Sequence, residues 1–152
     1  MSGRILAIQT SPNSGEPMHM HEEVRATPGR GLEADRYSLG RGSWVKDIKA
    51  GDHELTLIER EQLDWFKRET GLELTHRMSR RNLLTEGIEL NPLVGTRFHI
   101  GEIEVEGMRL CEPCKTLQER TGIKVLPEMV GRSGLNCRVL TDGVIRLNDP
   151  VG

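Results

Sequence analysis

Apolar and polar residues alternate with a period near two along most of this chain, the spacing of half-buried strands. Residues 4–10, with Ile5, Leu6, Ala7 and Ile8 between polar ends, read as a first strand. Residues 18–24 carry a weaker alternation, and 54–58 a clearer one through Leu55, Leu57 and Ile58. A short strand is predicted over 81–84, then two more, 97–100 and 103–110, around a tight Gly101-Glu102 connection. Residues 136–141 and 144–147 read as a closing hairpin across Asp142-Gly143. Helical spacing is sparse. Over 59–70, acidic residues open the segment, Leu63 and Phe66 share a face, and Gly71 ends it. A short helix over 113–121 ends at Gly122, and 125–130 read as a further helical turn. Many short strands, turn glycines and two or three short helices predict a mainly β fold, β-barrel-like, with helices at its rim. No internal repeat or low-complexity linker divides residues 1–152, so a single domain is expected.

Composition narrows the function classes. The net charge of −2 and the scattering of basic residues argue against a nucleic-acid backbone as partner. An aromatic content of 3% is too low for a base-stacking platform. No apolar run approaches the ~20 residues of a membrane span. The opening MSGRILAIQTS lacks the apolar stretch of a signal peptide. The expectation is a cytoplasmic protein whose three cysteines are free thiols. Residues 40–51 are polar and read as a surface loop.

Chemistry concentrates at Arg109-Leu110-Cys111-Glu112-Pro113-Cys114-Lys115, between an alternating strand and a polar helix. Two thiols three positions apart can face one ligand or oxidise together, and a thiolate at a helix start is favoured by the unpaired N–H groups there. Zinc would need two further ligands; Cys137 with His53, His76 or His99 could supply them, but no second paired motif exists. A CxxC dithiol redox protein is the other reading, although a thioredoxin-like motif belongs in a βαβ setting that the short strands do not offer. Three separated Gly/Arg turns complete the set: Gly31-Leu32-Glu33-Ala34-Asp35-Arg36-Tyr37, Arg80-Arg81-Asn82, and Gly131-Arg132-Ser133-Gly134-Leu135-Asn136. Guanidinium forks suit phosphate, and the Asn82 amide both donates and accepts.

These pieces, in this order, resemble the MOSC domain family, named after the C-terminal domain of molybdenum cofactor sulfurase. The 31–37 segment is similar to the family's G-L-x-G-D-R-(H/Y) element, with Ala34 in place of the second glycine. Arg80-Arg81-Asn82-Leu83 followed by Gly87 resembles R-x-N-(L/I)-x-x-x-G. Residues 93–101 resemble its L-x-G strand entry, Pro113-Cys114 its defining cysteine, and 131–135 with 144–151 its ending, where Asn148 stands for the usual glycine. The resemblance implies a barrel that handles sulfur or the molybdenum cofactor. Cys114 would ligate the metal or accept sulfur, with Cys111 beside it. Arg36, Arg80, Asn82, Arg132 and Asp35 would line the pterin phosphate site. A soft thiolate suits molybdenum, and arginine suits phosphate. The resemblance also implies a separate electron- or sulfur-donor protein. It gives no reason to expect pyridoxal phosphate, which belongs to a domain that these residues do not include. Reduction of N-hydroxylated compounds is one implied activity; a non-catalytic pterin carrier is the other.

Overall fold

The computed structural model describes residues 3–11, 17–33, 35, 54–111 and 128–152. Arg36, Cys114, the 40–51 loop and the helix expected over 113–121 lie outside them, as does Ala34.

Seven strands close into a barrel. They are β1 (Gly3–Thr10), β5 (Leu55–Glu59), β6 (Leu83–Glu86), β7 (Arg97–Ile100), β8 (Ile103–Leu110), β9 (Leu135–Val139) and β11 (Pro150–Val151). Their order around the wall is β11-β7-β8-β9-β5-β6-β1, and β11 pairs back onto β1 to close it. Strand β2 (His19–His21) adds to the other end of β1. A bulge between Ile5 and Ala7 resets the alternation of β1, so Ile5 and Ile8 both reach the core. The core is aliphatic, with Leu55, Leu57, Leu83, Ile100, Ile103, Val105 and Leu135 fully buried.

The expected 136–147 hairpin is not formed. Strand β9 lies between β8 and β5, whereas β10 (Gly143–Arg146) leaves to pair with β3 (Glu23–Thr27) in a second sheet, β10-β3-β4, where β4 is Gly31–Leu32. The cause is the corner at 140–141. Leu140 and Thr141 both donate their N–H groups to the Glu104 carbonyl, and the Thr141 hydroxyl accepts from the Glu104 N–H at 2.8 Å. The chain is held to β8 at the point where a hairpin would turn back. Val24, Ala26, Leu32 and Ile145 of the small sheet then join the barrel core. The weak alternation over 18–24 proves to be two strands broken at Glu22, and residues 81–84 start their strand two positions later than the pattern suggests.

Strands β5 and β6 run parallel, so the chain must cross over, and the crossover carries two helices among the described residues, α1 (Arg60–Thr70) and α2 (His76–Ser79). Helix α1 buries Leu63 and Phe66 against Ile58 on the outer barrel face, with Leu74 and Met129. Gly71 ends it at φ 73, its N–H donating to the Lys67 carbonyl. Asn148 takes φ 70, so the glycine it replaces is not required at that turn. No helix among the described residues is long and apolar enough to cross a membrane.

One glycine is sterically obligatory near the site. Gly134 has φ +106, and a Cβ there would lie 2.0 Å from the Leu57 carbonyl oxygen. Gly134→Ala should cost at least about 2 kcal/mol, since it combines a strained φ with a backbone clash. Urea denaturation checks this; a loss below about 0.5 kcal/mol would mean that the loop is free to move off β5.

Candidate functional site

The alternation that points Ile8, Leu83, Leu57 and Leu135 into the core points their neighbours outward. The result is a polar row across four strands and the residue just before β6: Gln9, Asn82, Thr56, Asn136 and Arg109. Gln9 donates its N–H to the Asn82 carbonyl at 2.8 Å, Thr56 is in register with Asn136, and Asn136 with Arg109.

Asn82 stitches the row. Its Oδ1 accepts from the Thr56 N–H at 3.0 Å and from the Thr56 hydroxyl at 3.1 Å. Its own N–H donates to Thr56 Oγ1 at 2.9 Å, and its Nδ2 donates to the Gln9 carbonyl at 3.1 Å. Three strands are therefore joined through one side chain just where β6 begins. Both ends of the amide are engaged in joining these strands.

Helix α2 is fastened above this row. Thr75 caps it by accepting from the Met78 N–H. The Gln9 amide nitrogen donates to the carbonyls of His76 at 2.8 Å and Arg81 at 2.7 Å, which pins both ends of the turn to β1. A carbonyl only accepts, so His76 Nε2, 2.8 Å from the Arg81 carbonyl, carries the proton and Nδ1 is the bare nitrogen. Burial pushes the His76 pKa down to about 4. Arg80 ends the helix at φ 61, ψ 15, a left-handed conformation uncommon outside glycine and asparagine. That twist sends the next residues apart. Asn82 enters the sheet, while Arg81 Nε donates to the Ser133 carbonyl at 2.9 Å.

The remaining sequence-derived residues separate. Asp35 is buried, its carboxylate accepting the Ser11 N–H at 3.0 Å, so it ties the turn after β4 to the end of β1, two residues beyond Gln9. Arg36 follows it in sequence, outside the described residues. Arg132 is committed to α1: its guanidinium lies 3.7 Å from the Trp65 ring centroid and donates to Gln62 Oε1 at 2.7 Å. Cys111 is buried where β8 ends, its N–H donating to the Gly134 carbonyl at 2.8 Å. Cys137 faces the apolar core, and burial, with Cys111 adding to it, raises its thiol pKa far above the ordinary range; it is an inert thiol. His99 sits on the exposed side of β7, 3.9 Å from Glu104. Sequence reasoning missed Gln9, Thr56 and Asn136. The available signal was a polar side chain inside each otherwise apolar strand.

The chemistry of the row suits an anionic, N–H-bearing heterocycle. Asn136, 2% exposed, holds an Oδ1 atom that is buried and accepts no hydrogen bond from the described residues, and its register partner is Arg109.

The profile of the MOSC domain matches residues 22–152. Among solved structures, the YuaD protein from Bacillus subtilis is 14% identical with a TM-score of 0.79, over 99% of this chain and 94% of its own. YiiM from Geobacillus stearothermophilus is 17% identical with a TM-score of 0.69, over 98% and 73% respectively. YiiM from Escherichia coli is 20% identical with a TM-score of 0.68, over 97% and 68%. At these identities the likeness is one of fold. No curated protein matches the sequence.

Proposed function

The chain belongs to the MOSC domain family, and from that membership we propose that it binds the molybdenum cofactor against the polar outer face of its barrel, with Cys114 as the metal-ligating thiolate. The observation that carries the location is Asn136. A buried, unbonded amide oxygen stands in register with Arg109, on the strand that leads within a few residues to Cys111 and Cys114. Arg80 at the end of α2, Arg109 and Arg36 are the guanidinium groups assigned to the phosphate. Asn82 and Gln9 hold strands and helix in place beneath. When bound, the molybdenum centre supplies two-electron oxygen-atom chemistry, suited to reducing N-hydroxylated compounds with electrons from a separate donor protein. The protein's part is to hold the phosphate, orient the ring and offer one soft sulfur.

The test is elemental analysis and oxidised-pterin fluorescence of protein purified from a cofactor-producing host. Wild type is expected to carry molybdenum and pterin together, and Cys114→Ser to lose most of the metal. Pterin without metal supports a carrier instead. A persulfide on Cys114 with neither metal nor pterin supports sulfur transfer, with Cys111 releasing the sulfur as a disulfide forms. Unchanged metal, pterin and sulfur loading in Cys114→Ser overturns all three.

A further inference from the structure

We propose that the Asn136 side chain is a contact residue for the bound heterocycle, accepting a hydrogen bond from one of its N–H or O–H groups. The inference rests on the cofactor reading and names the ligand edge that this face of the barrel recognises.

The argument begins with cost. A buried amide oxygen without a donor loses its hydration and recovers nothing. Asn136 is 2% exposed and its Oδ1 accepts no hydrogen bond. Its neighbours in β9, Leu135 and Cys137, belong to the apolar core, so the Asn136 side chain stands on the opposite, outer face. Among the described residues, the adjacent groups do not satisfy it. On one side Thr56 gives its hydroxyl proton and its N–H to Asn82. On the other, Arg109 is its register partner on β8, yet no arginine hydrogen bond reaches Oδ1. Gln9, at the far end of the row, also has an unbonded oxygen, but its amide nitrogen is locked to the carbonyls of His76 and Arg81, which fixes that amide to helix α2. Asn136 is the member of the row whose register partner is an arginine, on the strand that runs on in sequence toward Cys111 and Cys114. An acceptor in register with an arginine suits a ligand that presents a donor group and a negative charge. An aminopyrimidine-type ring bearing a phosphate does so.

The experiment compares wild type, Asn136→Leu and Asn136→Asp, each purified from a cofactor-producing host. The readouts are pterin released on acid oxidation, measured by fluorescence, and Tm after the cofactor has been stripped. Leucine keeps the volume and removes the polar atoms. If the amide serves a ligand, Asn136→Leu should hold or raise the stripped-protein Tm and lose about tenfold in retained pterin, the effect of one forgone hydrogen bond. Asn136→Asp, which keeps an acceptor, should retain more pterin than the leucine variant. Equal pterin in wild type and Asn136→Leu overturns the proposal while leaving the cofactor reading intact. A fall in the Tm of stripped Asn136→Leu also overturns it, because the amide would then be a structural group. Wild type without pterin overturns the cofactor reading and this inference with it.

Discussion

Asn82→Ala is expected to lose about 3–5 kcal/mol of folding stability, the largest effect of any single substitution at this site. Asn82 is 4% exposed and ties β1, β5 and β6 together through the Thr56 N–H, the Thr56 hydroxyl and the Gln9 carbonyl. Alanine strands those groups where water cannot readily replace the amide, and each buried unsatisfied group costs about 1–3 kcal/mol. Asn82→Asp keeps the acceptor for Thr56 but turns a donor into a second acceptor against the Gln9 carbonyl, so it should recover only part of the loss. Urea denaturation at pH 7 reads both. A change within about 0.5 kcal/mol for Asn82→Ala would show that the strands do not depend on this side chain. The expected result also separates two ways in which a variant at this motif can fail. Loss of cofactor by an Asn82 variant would follow from disturbed strands, whereas loss through Asn136 should leave the fold intact.

The second large effect is acid sensitivity centred on His76. An unfolded histidine takes up its proton near pH 6.5, while burial holds the folded His76 neutral until about pH 4. Between those values the unfolded state binds more protons than the folded state, so stability rises with pH across the window. His76 therefore contributes fully above pH 6.5, and its contribution is lost as the pH falls toward about 4, a total of about 3 kcal/mol. Below that no further loss comes from this residue. His76→Gln keeps an N–H donor for the Arg81 carbonyl and removes the titration, so its stability should be flatter between pH 6.5 and 4. Parallel urea titrations at half-unit pH intervals measure the difference. Coincident slopes for wild type and variant would assign the acid sensitivity to other groups. Since α2 ends at Arg80 and carries the His76 carbonyl that Gln9 grips, loss of site geometry in acid should track the same window.

Local pattern carried much of this outcome. The alternation of residues 4–10, 54–58, 97–100 and 103–110 marked strands because one face of each is buried, and burial writes a period of two. Helix α1 was legible from its acidic first turn, its Leu63–Phe66 face and Gly71. The ordered motifs around Arg80, Cys114 and Gly131 were enough to identify a MOSC barrel, since turn glycines and a lone Pro-Cys pair keep their spacing whatever the packing around them.

What the chain could not reveal by itself is which strands meet. Residues 136–147 contain a good hairpin turn, yet the carbonyl of Glu104, distant in sequence, captures the corner at Leu140 and sends β10 to the other sheet. Arg132 looks like a phosphate ligand among glycines, but Trp65 and Gln62 hold it against α1. Asn82 looks like a binding residue, but three strands need its amide. Asn136 looks like a strand residue with no task until its register places it beside Arg109 with no donor to satisfy it. Alternation and turn chemistry act within a few residues and can be read from neighbours. Hydrogen-bond partners, and the lack of one at a buried oxygen, depend on which remote segments arrive, and only the closed barrel decides that.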